Sequence, residues 1–188
     1  VELLDFPGMD TLEAFNTDGL RTLARTLDAP FMKEKTLRYP GHAGLMRVFR
    51  DGGFFSEAPI DIQGQSISPI ALTSHLLFDD WKMSEGEADL TVFQVLMEGK
   101  LNGVRQRRTY TMLDEYDAVT DTTSMARTTG YTCALVARQV LDGLFSQKGI
   151  SPPEYVGRTP GCWEHLMAGY SARDIRLREN SEALSRAG

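Results

Sequence analysis

Three short runs hold the residues best suited to chemistry. The first is Lys35-Thr36-Leu37-Arg38-Tyr39-Pro40-Gly41-His42. Pro40 forces Tyr39 into an extended conformation, and Gly41-His42 opens the next apolar-periodic segment, so a strand ends and a helix begins within the run. The free amides of a helix start and its dipole favour an anion. Arg38 can grip a carboxylate through two parallel hydrogen bonds, Tyr39 adds a hydroxyl, and His42 adds a group that titrates near neutrality. The competing reading pairs Arg38 with a local acid and leaves His42 as a surface residue.

The second run is Ser124-Met125-Ala126-Arg127-Thr128-Thr129-Gly130. Threonine and glycine are poor helix formers, yet they open the longest helical pattern in the chain. Small residues let a ligand or another backbone come close, and Arg127 is a second candidate for holding a carboxylate. The alternative is a helix start packed tightly on a sheet, with its threonine hydroxyls bonded back to the helix. The third run, Asn16-Thr17-Asp18-Gly19-Leu20-Arg21, is a strand-to-helix turn in which Thr17 or Asp18 can cap.

The elements that must position these runs alternate between strand and helix. Asp10–Asn16 reads as a strand, Leu20–Leu27 as a short helix, Phe31–Tyr39 as a second strand and His42–Asp51 as a helix closed by Gly52-Gly53. A short strand is expected at Ile60–Ile62, and a helix starts at Ser68-Pro69 and runs to about Asp79. Leu90–Gly99 and Val104–Tyr116 form a hairpin around Asn102-Gly103, a strong turn signal. Both faces of Leu90–Gly99 are apolar, which predicts a central, covered strand. Ser124–Gln147 is the longest helix, ended by Gly149 and Pro152-Pro153; Gly161–Ala168 is a short helix and Asp174–Arg178 a last edge strand. The sum is α+β: a mixed, largely antiparallel sheet with helices packed on it, around one core.

Composition bounds the partners. The 188 residues carry 26 Asp+Glu against 20 Lys+Arg, a net charge of −6, which argues against nucleic acid. The one basic cluster, Arg105, Arg107 and Arg108, is diluted by Gln106 and Thr109 and reads as a solvated strand face. No apolar run approaches the roughly 20 residues of a bilayer span, so no membrane partner is expected. Cys133 and Cys162 form no C-x-x-C pair; Cys133 reads as a small core residue, and the setting as cytoplasmic. His42, His75 and His165 have no ligand spacing, so no metal site is expected. Neither G-x-G-x-x-G nor G-x-x-x-x-G-K-[ST] occurs, so the chain offers no phosphate-cradling loop of its own.

Taken together, the runs Leu12–Leu23, Lys33–His42 and Met125–Thr132 resemble the C-terminal domain of the saccharopine dehydrogenase family, nearest its lysine 6-dehydrogenase branch, through T-L-R-Y-P-G-H and A-R-T-T-G-Y-T. The resemblance extends from about Leu12 to Gly157 and is loose beyond. It implies that residues 1–188 are a single C-terminal substrate and dimerisation domain, similar in fold to the second domain of glyceraldehyde-3-phosphate-type dehydrogenases. An N-terminal Rossmann domain upstream would bind NAD or NADP, and the chain, which starts at Val1, reads as an excised, inactive half.

The implied reaction moves hydride from the nitrogen-bearing carbon of saccharopine or lysine to the cofactor. By the same resemblance Arg38 and Arg127 hold substrate carboxylates, Tyr39, His42 and Thr128 line the pocket, and Thr17 and Asp18 meet the substrate amine. The general acid/base is expected partly in the upstream domain. A homodimer is expected. Two other readings stand beside this one: a non-catalytic amino-acid-binding or dimerisation module, and a carboxynorspermidine dehydrogenase, which would need acids where the two arginines lie.

Overall fold

The computed structural model describes residues 1–184. The chain divides into two compact units, Val1–Glu87 and Ala88–Gly188. The architecture is α+β, and every strand pair among the described residues is antiparallel.

In the first unit, β1 (Glu2–Leu4), β2 (Leu12–Asn16) and β3 (Lys35–Arg38) form a sheet in the order β1-β2-β3. Only four of the residues expected as the second strand pair in the ladder; Phe31–Glu34 lead into it unpaired. Alternation along β2 splits the sheet into two faces. Leu12 and Ala14 are buried on one; Glu13 and Phe15 point to the other. Helix α1 (Leu23–Thr26) is a single turn, and α2 (His42–Asp51) occupies its expected span. Strands β4 (Ile60–Ile62) and β5 (Gln65–Ile67) form a hairpin. Its two turn residues, Gln63 and Gly64, both have positive φ, as a tight primed turn requires. Helix α3 (Pro69–Trp81) starts with Ser68 accepting from the Ala71 amide and Pro69 in the first turn. Phe49 of α2 meets Phe54 edge-on at 5.4 Å, Phe55 at 5.9 Å and Trp81 of α3 at 6.4 Å, an aromatic cluster that ties the two helices together.

In the second unit, β6 (Leu90–Leu101) and β7 (Val104–Glu115) pair over their full lengths around the Asn102-Gly103 turn. Strand β8 (Arg178–Ala183) pairs with β7, so the order is β6-β7-β8. This corrects two expectations. The final strand begins where the expected one, Asp174–Arg178, ends. And β6 is an edge rather than a central strand, with Leu90, Phe93, Leu96 and Met97 all exposed; apolarity on both faces did not mean coverage on both.

Helix α4 (Ser124–Leu141) packs on this sheet and stops six residues before the expected end. Gly143, at positive φ, follows its last turn. Helix α5 (Pro153–Arg158) starts at the proline pair read only as a breaker, since proline suits a first turn. Helix α6 (Cys162–Ser171) packs on α4. Met112, Leu135, Phe145, Cys162 and Ile175 make this unit's core. Cys133, expected inside, is exposed because it lies on the outer side of α4, whereas Leu135 and Gln139 face inward.

Candidate functional site

The β2–β3 ladder sets Glu13 opposite Arg38 and Phe15 opposite Thr36, and residues directly opposite share a face. One step further, the Thr17 hydroxyl lies 3.0 Å from that of Thr36 and donates to Glu34. The His42 ring stacks on Phe15, centroids 6.0 Å apart and 8° from parallel. Glu13, Phe15, Thr17, Glu34, Thr36, Arg38 and His42 therefore share one face of the first sheet. That brings three of the sequence-predicted residues, Thr17, Arg38 and His42, onto one surface. About 13 Å of strand separates the Arg38 end from the Glu34 end, at the usual rise per residue.

Arg38 is exposed, and among the described residues its one hydrogen bond is donation from Nη1 to the Leu37 carbonyl at 2.8 Å. No acid pairs with it among the described residues. Tyr39, just past the strand, is also exposed. Asp18 sits in the turn after β2, on the surface, in a 3.3 Å ion pair with Arg21.

The anion position at the start of α2 is already filled. Glu13 accepts from the Gly41 amide at 3.0 Å and the Ala43 amide at 2.5 Å. These two backbone bonds, with the nearby His42, hold its carboxyl below the ordinary value of 4.5. Glu13 is buried and its negative charge serves the helix. An acid in the middle of the apolar alternation Leu12-Glu13-Ala14-Phe15 was the signal for this; a buried carboxylate needs donors. Glu34 was the other residue missed. Its Oε2 accepts from Thr17 and from the Gly19 amide at 3.1 Å, and nothing in the one-dimensional pattern couples positions 17, 19 and 34.

The second unit holds Arg127 and Thr128. Arg127 is buried on the inner side of α4. Its Nε donates to Asp114 at 3.2 Å, its Nη1 to Asp117 at 3.0 Å, and its Nη2 to Asp114 at 3.2 Å and the Arg173 carbonyl at 2.9 Å. These contacts, Asp114 first, raise its affinity for its proton. A substrate carboxylate would have to displace one of these partners. Thr128 donates back to the Ser124 carbonyl at 2.8 Å, and Thr132 to the Thr128 carbonyl. Ser124 itself is fully buried, donating to Asp114, while Asp89 accepts from the Ser124 and Met125 amides at 2.5 and 2.9 Å. The small, hydroxyl-rich start of α4 is thus the tightly packed helix entry that its composition also allowed.

No helix among the described residues is long and apolar enough to cross a membrane.

A family model described as "Saccharopine dehydrogenase C-terminal domain" matches residues 1–174. The chain is 33% identical over 102 residues to "Saccharopine dehydrogenase [NADP(+), L-glutamate-forming]" of Schizosaccharomyces pombe, and 32% identical over 105 residues to the protein of the same name from Pyricularia oryzae. In each case the alignment covers 54% of this chain and 22% of the relative, so the chain matches about a fifth of the length of these curated proteins.

Proposed function

The chain belongs to the saccharopine dehydrogenase C-terminal domain family, and from that premise we propose that it is the substrate-binding part of an oxidoreductase acting at a carbon–nitrogen bond of saccharopine or lysine. The observation that carries this reading is Arg38: an exposed guanidinium without an acidic partner among the described residues, on a polar face shared with Thr17, Thr36 and His42. In such a place an arginine suits a carboxylate. Arg38 binds the substrate carboxylate, Tyr39 and His42 flank it, and Thr17 and Asp18 lie toward the amine. Arg127 and Thr128 act by holding the start of α4 in place.

The names of the relatives carry NADP(+), and we extend an NAD or NADP requirement to the enzyme this chain serves. The starts of α2 and α4, where a pyrophosphate would sit, are filled by the carboxylates of Glu13 and Asp89. These filled helix starts support a cofactor held by another part of the enzyme, with the present chain binding and orienting the substrate. The exposed apolar residues of the edge strand β6 support a homodimer.

The test is calorimetric titration of this chain with L-lysine, saccharopine, NADH and NADPH in parallel. Binding of an amino acid without a dinucleotide is expected. Tight dinucleotide binding would overturn the assignment, and binding of neither amino acid would remove the substrate-binding role.

A further inference from the structure

Glu34 has no part in the substrate contacts above, yet it is held as a binding group is held. One carboxylate oxygen, Oε2, takes both the Thr17 hydroxyl and the Gly19 amide. The other, Oε1, has no hydrogen-bond partner recorded among the described residues. The side chain is half-buried, on the same face as Arg38. Room for it exists only because residue 19 lacks a side chain: a Cβ there would lie 2.5 Å from Glu34 Cδ and 2.8 Å from Cγ. Two donors on one oxygen and a glycine cut-out fix the carboxylate and leave its second oxygen without a hydrogen-bond partner among the described residues. Supporting contacts of this kind preorganise a recognition group.

Arg38 and Glu34 then stand at opposite ends of one strip, a cation and an anion about 13 Å of strand apart, with Thr36 between them and Thr17 bonded to Glu34 at its end. We propose that Glu34 is a specificity-determining residue, the counter-ion of the substrate's amino group, so that the strip selects an elongated amino acid with its carboxylate at Arg38 and an amine at Glu34. This rests on the amino-acid substrate proposed above and adds which group recognises the amine.

Glu34→Gln separates this role from simple support of the turn. The amide keeps an oxygen to accept from Thr17 and Gly19 but loses the charge. Three probes are titrated into the chain: L-lysine, 6-aminohexanoate, and hexanoate, which has the carboxylate and carbon chain but no amine. In Glu34→Gln the dissociation constants for the two amines rise about tenfold, the scale of a charged hydrogen bond, while that for hexanoate is unchanged. Gly19→Ala, which displaces the carboxylate without removing it, gives the same selective loss. An equal loss for all three probes would make Glu34 a turn support only. No loss in Glu34→Gln, with Arg38→Ala losing all three, would overturn this inference while leaving the substrate site intact. A wild-type chain that binds none of the probes would overturn both.

Discussion

Glu13 and Arg38 face each other directly across the β2–β3 ladder, and yet no ion pair joins them. The Glu13 carboxylate turns instead to the Gly41 and Ala43 amides and caps α2. Two backbone donors at a helix start, aided by the dipole, hold the carboxylate. The exposed guanidinium opposite is left in water, where an ion pair gains little. The same choice that stabilises the helix leaves Arg38 available to a ligand.

Removing that guanidinium should cost binding and not folding. Arg38→Ala is expected to weaken amino-acid affinity at least tenfold, because a bidentate carboxylate contact is among the stronger hydrogen-bonding arrangements. The melting midpoint should stay where it is, since the side chain is exposed and, among the described residues, bonds only to the Leu37 carbonyl. Calorimetry and a thermal scan on the same sample read both. A drop in melting with affinity retained would make Arg38 a structural residue.

Glu13 gives the fold a pH dependence with a definite sign. Its carboxyl titrates lower in the folded chain than its ordinary value of 4.5. The stabilisation it contributes is therefore fully present above pH 4.5 and is lost as pH falls from there through the lower folded value. Glu2, lowered mainly by Lys35, and Asp117, lowered mainly by its bond from Thr120, push the same way. They remain in a Glu13→Gln variant, so the difference between the two proteins isolates Glu13. That difference in melting midpoint should be largest near neutrality and shrink steadily below pH 4.5. A gap that does not change with pH would show that the carboxylate charge is not what holds α2.

Arg127 should behave in the opposite way to Arg38. It and Asp114 form a buried pair at 3.2 Å, with side chains 8% and 4% exposed. Arg127→Met leaves Asp114 buried with Ser124 as its remaining side-chain donor. Breaking a buried pair from one side costs about 3–5 kcal/mol, read by urea unfolding. Replacing both partners, as Arg127→Met with Asp114→Leu, should recover part of that loss, because the deeply buried Asp114 charge goes with its partner and only the more exposed Asp117 is left without the guanidinium. If Arg127→Met instead left stability untouched and abolished amino-acid binding, Arg127 would be a ligand contact.

What the sequence disclosed and what it hid follow from how far apart the interacting residues are. The Asn102-Gly103 hairpin, the proline-led start of α3 and the span of α2 are set by neighbours within a turn or two, and local chemistry reports them. The family was also legible, because its signature lies in contiguous runs. Glu13 at Gly41 and Glu34 at Gly19 were not. They depend on the β2–β3 register, which is decided by two segments about 20 residues apart. The edge position of β6 was hidden for a related reason. An apolar strand says that it can be covered, and only β8, arriving from beyond residue 177, determines which strand lies at the centre. Arg127 was visible as a charge at a helix start, but its type is the same whether the guanidinium meets a substrate or Asp114.

The packing of α4 against α6 offers a test that couples two positions. Gly169 lies in the last turn of α6, where alanine is still the better helix former, by up to about 1 kcal/mol. A Cβ at this position would sit 2.6 Å from Leu135 Cδ1 and 3.0 Å from its Cγ, and Leu135 is a core residue of α4. The leucine cannot swing out into solvent, so the overpacking cost, about 1–3 kcal/mol, should exceed the propensity gain. Gly169→Ala is thus expected to lower stability despite favouring the isolated helix. Leu135→Ala alone should lower it further, by the few kcal/mol typical of a truncated core leucine. Combined, the two should cost less than their sum, since the smaller residue at 135 removes the clash and restores alanine's helical advantage at 169. Chemical denaturation of the four proteins gives the coupling directly. Strict additivity would mean that the two helices are not in close contact at this point, and a stabilising Gly169→Ala would mean that Leu135 has space to move into.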